Sequence, residues 1–287
     1  MANPVLSTRG LFTPAGPQYV APSQGLNGNV PYGYQAYAAP GQSGATVQPQ
    51  FGSAWQPPAQ TADVERMTFN DVLAKTAISL LLLFLVAASA YIFLPDSILY
   101  PAALIGGLAA FIVPLIVARR RSANPALNIF YAIAEGVLVG AFSKIFEAYY
   151  PGIVMQAVLG TFLAAAVTWV AYHFGGFRLS SKMVRMVSIG VMAFAGVALV
   201  NLGLFFAGIN TGLFPGPTGH VSTWAWLVAL VGIGLAVFSL VTDLQYIDAA
   251  VAMGAPRSQG WVAAFGLSVT MVWLYINILR LLSYIRR

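Results

Sequence analysis

Glu135 is the carboxylate whose surroundings are least like water. It stands in Tyr131-Ala132-Ile133-Ala134-Glu135-Gly136-Val137-Leu138-Val139-Gly140, a stretch with no other charge. If that stretch is helical, Glu135 lies about ten residues in, or roughly 15 Å from the helix start. A carboxyl at that depth in hydrocarbon must face a protein interior, find a partner or carry a proton. The chemistry this suggests is a cation or proton path. The alternative is a protonated structural carboxyl bonded to another helix.

A second pair of acids occurs in Thr242-Asp243-Leu244-Gln245-Tyr246-Ile247-Asp248. Five residues on a helix place Asp243 and Asp248 roughly 140° apart on the wheel, so one at most points inward. Asp243 is the deeper and the better functional candidate, and Asp248 reads as a solvated interfacial charge. The last apolar stretch offers Ser268, Thr270, Asn277 and Arg280. Hydroxyls in such helices usually bond their own backbone. Arg280 reads as snorkelling to the nearer surface, with Asn277 three residues before it and able to share its face. Asn201 reads as an interhelical hydrogen-bonding group and His173 as structural. Lys144 and Glu147 are expected to reach water.

Other chemistries lack their residues. There is no cysteine, which removes disulfides, thiolate metal sites and a cysteine nucleophile. Two histidines alone argue against a zinc protease. No Gly-x-Ser-x-Gly elbow, P-loop or seventh-helix lysine for a retinal Schiff base occurs. The chain carries no nucleic-acid-binding motif. Neither an enzyme activity nor a cofactor is expected.

The elements that must position these residues are membrane helices. Only 8% of the residues are charged, whereas a soluble domain carries about 25%. Residues 1–66 are read as a disordered cytoplasmic tail rich in Gly, Pro, Gln and Tyr, without helical or strand period. Residues 67–287 are read as an all-α bundle of seven transmembrane helices. The apolar runs are 72–94, 99–118, 125–149, 153–174, 183–206, 223–248 and 261–284, each long enough to cross about 30 Å of hydrocarbon. With no cleavable leader in view, the first run would act as an uncleaved signal anchor.

Lys and Arg give the bundle an orientation. Arg66, Arg119, Arg120, Arg121, Arg178, Lys182, Arg185 and Arg257 fall on one side, while the loops around Asp96, Pro151 and 208–221 contain none. That asymmetry predicts a cytoplasmic N-terminus. Seven spans then carry Arg286 and Arg287 outside, against the charge rule. A re-entrant last segment ending inside is the alternative.

Three stretches carry a resemblance that covers residues 66–287. They are Ala134-Glu135-Gly136 through Ser143, Thr242 through Asp248, and Ala264 through Tyr275 followed by Leu279-Arg280-Leu281-Leu282-Ser283. Together they resemble the Bax inhibitor-1 (YccA-type, or TMBIM) membrane family, and within it the bacterial subgroup with a long N-terminal tail. The resemblance implies six helices around a central seventh, in a bacterial plasma membrane. It also implies a pH-sensitive cation leak, chiefly for calcium, gated near an acidic pair on the sixth and seventh helices. Asp243 matches the sixth-helix acid. The seventh-helix acid falls near Thr270, or in the subgroup near Asn277, and neither residue is acidic here.

Two functions follow as expectations. One is a cation or proton leak lined or gated by Asp243 and Glu135, with Asp248, Thr270, Asn277 and Arg280 nearby. The other is a non-transporting regulator that binds a membrane protease or stress-response partner, with the tail as its docking element. A common hydrated cavity facing Asp243 and Glu135 would favour the first, and sealed packing would weaken it. A proton-coupled solute transporter ranks third, because no inverted repeat is evident.

Overall fold

The structure is a computed structural model that describes residues 65–120 and 125–287. Of the expected disordered tail, residues 1–64 lie outside the described residues, as does Arg121, while Arg66 is held in a bridge to Pro256. The seven apolar runs form seven helices: α1 (Phe69–Phe93), α2 (Leu99–Arg120), α3 (Pro125–Tyr149), α4 (Ile153–His173), α5 (Ser181–Phe206), α6 (Thr223–Ala252) and α7 (Gly260–Ile285). All seven are long and apolar enough to cross a membrane. No strand occurs among the described residues; one isolated bridge joins Arg66 to Pro256.

Local chemistry sets the ends. Thr68, Ser180 and Ser222 cap α1, α5 and α6 by accepting a backbone N–H three residues on. Pro125 opens α3, where its missing N–H costs nothing. The sixth helix runs a turn past the expected Asp248, because no helix breaker intervenes before Gly254, which has a φ of 68°.

The helix that lies centrally is α7. In its most apolar window 72% of residues are buried, against 6% for α5. It packs against α1, α3, α4 and α6. Helix α2 rests on α3, and α5 rests on α6, touching α7 through Phe194 and Trp273. The lateral surface is apolar, with Phe93 and Phe174 more than 70% exposed. In lipid that exposure costs nothing, so close packing must supply the cohesion between helices. Gly136 and Gly140 provide it at α1: a Cβ on Gly136 would sit 2.8 Å from the Leu83 carbonyl oxygen, and one on Gly140 would strike the Ala87 carbonyl.

One end of the bundle is fastened by charge. Lys75, only 8% exposed, donates to Asp71 at 2.6 Å and to the Arg257 carbonyl at 2.7 Å. Arg257 reaches Asp71 at 3.1 Å and also pairs with Glu65. Met67 N–H donates to the Ala255 carbonyl, and Arg257 N–H to the Glu65 carbonyl. The strand-like approach to α1 is thereby stitched to the α6–α7 turn.

The opposite end explains Arg286 and Arg287. The Arg286 guanidinium donates to the Pro151 carbonyl at 2.7 Å. Arg287 donates to the Tyr150 hydroxyl at 3.0 Å and to the carbonyls of Gly216 and Gly219. These arginines clasp the α3–α4 and α5–α6 loops, a structural task that holds whichever side of the membrane they face. Helix α7 runs unbroken from the fastened end to this clasp, and the re-entrant alternative is not observed.

Candidate functional site

Asp243 and Thr270 meet where α6 crosses α7. Asp243 is fully buried, and Thr270 is 3% exposed. The Thr270 hydroxyl donates to Asp243 Oδ2 at 2.6 Å. Thr270 thus departs from the usual habit of membrane hydroxyls. Its neighbour Ser268 keeps it, donating to the Ala264 carbonyl at 2.9 Å. The residue expected opposite Asp243 contacts it, and a neutral donor stands where an acid pair would need a second carboxyl.

A family model described as Bax inhibitor 1 like matches residues 28–287. The chain belongs to the Bax inhibitor-1-like family. No curated protein matches it.

In this Bax inhibitor-1-like bundle Glu135 is 4% exposed, and its Oε2 has no hydrogen-bond partner among the described residues. Tyr131 stands one turn earlier on the same face of α3 and is likewise buried. The Tyr131 ring also packs on Phe265 of α7, with centroids 4.6 Å apart. Helices α3 and α7 run in the same direction. Four residues on from that contact, Glu135 stands level with Val269, beside Thr270. Glu135 and Asp243 therefore occupy similar depths on two helices that both pack against α7.

Further buried polar groups extend from the two carboxyls. Asn128, 1% exposed, lies seven residues before Glu135 on the same face of α3, and neither of its amide atoms has a partner among the described residues. Ser239, four residues before Asp243 on α6, is fully buried with its Oγ in the same condition. A buried polar group without a partner costs on the order of 1–3 kcal/mol. The sequence reading missed Asn128 and Ser239. Their spacing of seven and four from the two acids was the available signal.

The remaining candidates separate. Asp248 is not simply solvated. It accepts from the Tyr172 hydroxyl at 2.5 Å and from Arg178 at 3.3 Å, joining the end of α4 to α6. Asn277 is 2% exposed, donates to the Trp273 carbonyl at 2.8 Å and fills a notch at Gly232 of α6. Arg280 does not snorkel outward. Its guanidinium lies between the Phe142 and Phe214 rings, 5.6 and 5.0 Å from their centroids, where aromatic faces partner the cation. Asn201 does not bridge helices, since Thr211 in the following loop donates to it. His173 stacks on Trp169, 5.3 Å between centroids. Glu147 does not hang in water; it accepts from the Gly152 and Val154 N–H groups at 2.5 and 3.0 Å and so caps α4.

Beyond Glu135 the polar line stops. Ser143 and Tyr275 bond each other at 2.7 Å amid an apolar cluster that includes Leu83, Val139, Val272 and Leu279. A cleft of about 410 Å³ lies between α1 and α4 on that side. Neither Glu135, Asp243 nor Thr270 lines it. The two carboxyls therefore do not share this cleft.

Proposed function

We propose that this Bax inhibitor-1-like protein is a pH-sensitive cation leak of a bacterial plasma membrane, calcium among its ions, with its N-terminus cytoplasmic, described here in a closed conformation. The observation that carries the reading is the line of buried polar groups from Asn128 to Glu135 and from Ser239 to Asp243, in which Asn128, Ser239 and Glu135 Oε2 have no hydrogen-bond partner among the described residues. Groups of this kind inside a membrane take water or a cation as partner. The line spans roughly 10 Å on α3 by helical rise, starting from the end where Lys75 and Arg257 lie. The apolar layer around Ser143 and Tyr275 is the closed part. The Asp243–Thr270 hydrogen bond is the contact whose breaking would let α6 move against α7. No cofactor and no covalent chemistry enter this reading.

The test is calcium entry into proteoliposomes between about pH 5 and 8. Asp243→Asn and Glu135→Gln are expected to change the flux and to flatten its pH response. Wild-type protein giving no flux above empty liposomes at any pH in that range would sink the proposal.

A second reading has its own support: Asp243 is fully buried, accepts from the neutral Thr270 hydroxyl, and lines neither the α1–α4 cleft nor the cavity at its mouth. On that reading the protein transports nothing and regulates a membrane protease or stress-response partner through residues 1–64. Removing residues 1–64 should then abolish recovery of the partner while the bundle stays folded. Unchanged recovery argues against it.

A further inference from the structure

Two cavities meet at the end of the bundle where α1 gives way to α2. The first is the cleft between α1 and α4, walled by residues such as Phe84, Ala88, Val158 and Phe162 and floored by Met271 and Val272 of α7. Phe84 and Phe162 are more than half exposed, so the cleft opens sideways to the hydrocarbon. Along α1 it runs from Leu80 to Tyr91, roughly 16 Å by helical rise, or about one leaflet. The second cavity, about 430 Å³, lies at the mouth and is lined by Asp96, Lys144, Glu147, Tyr100 and Tyr149. Tyr91 and Glu147 line both, so the apolar cleft opens into the polar mouth.

The mouth holds one cation beside two carboxylates, and their hydrogen bonds differ. Glu147 is occupied, each oxygen accepting a backbone N–H of the α4 start. Lys144 donates to the Leu94 carbonyl at 2.6 Å and faces Asp96 at 3.2 Å, which leaves one of its three N–H donors. The Asp96 side chain is 86% exposed. An anionic group can therefore be met by Lys144 and the surrounding tyrosines. A cationic group can be met by Asp96.

We infer that the α1–α4 cleft and its mouth bind a zwitterionic aminophospholipid, with an acyl chain between α1 and α4, the phosphate at Lys144 and the ammonium at Asp96. A chain-shaped apolar slot one leaflet long, ending in charges of both signs, fits such a lipid. A lipid with a net negative headgroup meets the same Lys144 but also the two carboxylates, with no ammonium to offset them.

The test uses the purified full chain in detergent, titrated with dioleoyl phosphatidylethanolamine or dioleoyl phosphatidylglycerol and read by native mass spectrometry. Wild-type protein should retain one phosphatidylethanolamine in preference to phosphatidylglycerol by about fivefold, the size of one exposed charge pair. Ala88→Phe fills the slot and should abolish retention of both lipids. Asp96→Asn, at an exposed position, should keep the acyl chain bound and bring the preference to unity. Equal retention of the two lipids by wild type, a preference for phosphatidylglycerol, or undiminished retention by Ala88→Phe would overturn the assignment. Should Ala88→Phe fail to fold, the wild-type preference and the Asp96→Asn arm decide the matter alone.

Discussion

At the scale of the residue, Thr270 sets how Asp243 behaves. Its hydroxyl supplies a proton donor to a carboxyl that has left water entirely. Thr270→Val removes that donor at nearly constant volume and is expected to destabilise the bundle by about 1–3 kcal/mol, read as a lower melting temperature in detergent. Thr270→Asp sets a second carboxyl against the first. Two carboxyls that close share one proton, and losing it leaves like charges in contact. The melting temperature of Thr270→Asp should therefore fall relative to wild type as pH rises from 5 to 8. An unchanged difference across that range would show that the two side chains no longer meet. Asp243 and Glu135 were legible in the sequence because charge is scarce and each interrupts an apolar run. Lys75 was not, because it lies near a helix start, where a basic residue ordinarily reaches water. Its burial depends on the Arg257 carbonyl, 182 residues away.

At the scale of the element, the helices were legible to within a few residues, because lipid demands length and apolarity and proline and glycine mark the ends. Their mutual packing was not legible. The repeat Gly136-x-x-x-Gly140 is common in membrane helices and does not say which neighbour it meets. The structure assigns it to α1. Gly136→Val would drive side-chain atoms into the Leu83 carbonyl and the Val86 side chain, and overpacking of this kind typically costs about 1–3 kcal/mol. Thermal unfolding in detergent should show that loss. Gly196 lies inside α5 with open space around its Cβ position, so Gly196→Ala should hold or slightly raise the melting temperature and serves as the control. The capping of α4 by Glu147 also escaped the sequence, since a glutamate near a helix end looks the same whether it meets water or the next helix's N–H groups.

At the scale of the whole molecule, the charge asymmetry predicts which end faces the cytoplasm. The chain has no cysteine, so single cysteines report position without background. A cysteine at Thr218, in the α5–α6 loop, should react with an impermeant maleimide on intact cells. One at Ser258, in the α6–α7 turn, should react only after permeabilisation. The reverse pattern would invert the orientation. Arg286 and Arg287 seemed to oppose that orientation when only charge was counted. The loop carbonyls that hold them give both residues a structural role independent of orientation, and no sequence pattern shows a carbonyl's direction.

The stitching of residues 65–67 to the α6–α7 turn makes the first and last helices share a mooring. Helices α1 and α7 run in the same direction from it, side by side. A tension applied between the two chain ends would load that mooring in shear, across its backbone hydrogen bonds and the Asp71–Lys75–Arg257 charges together. Peeling α1 away one contact at a time is not the path such a load would follow. Under such a load the mooring, where the chain first enters the bundle, is expected to yield first.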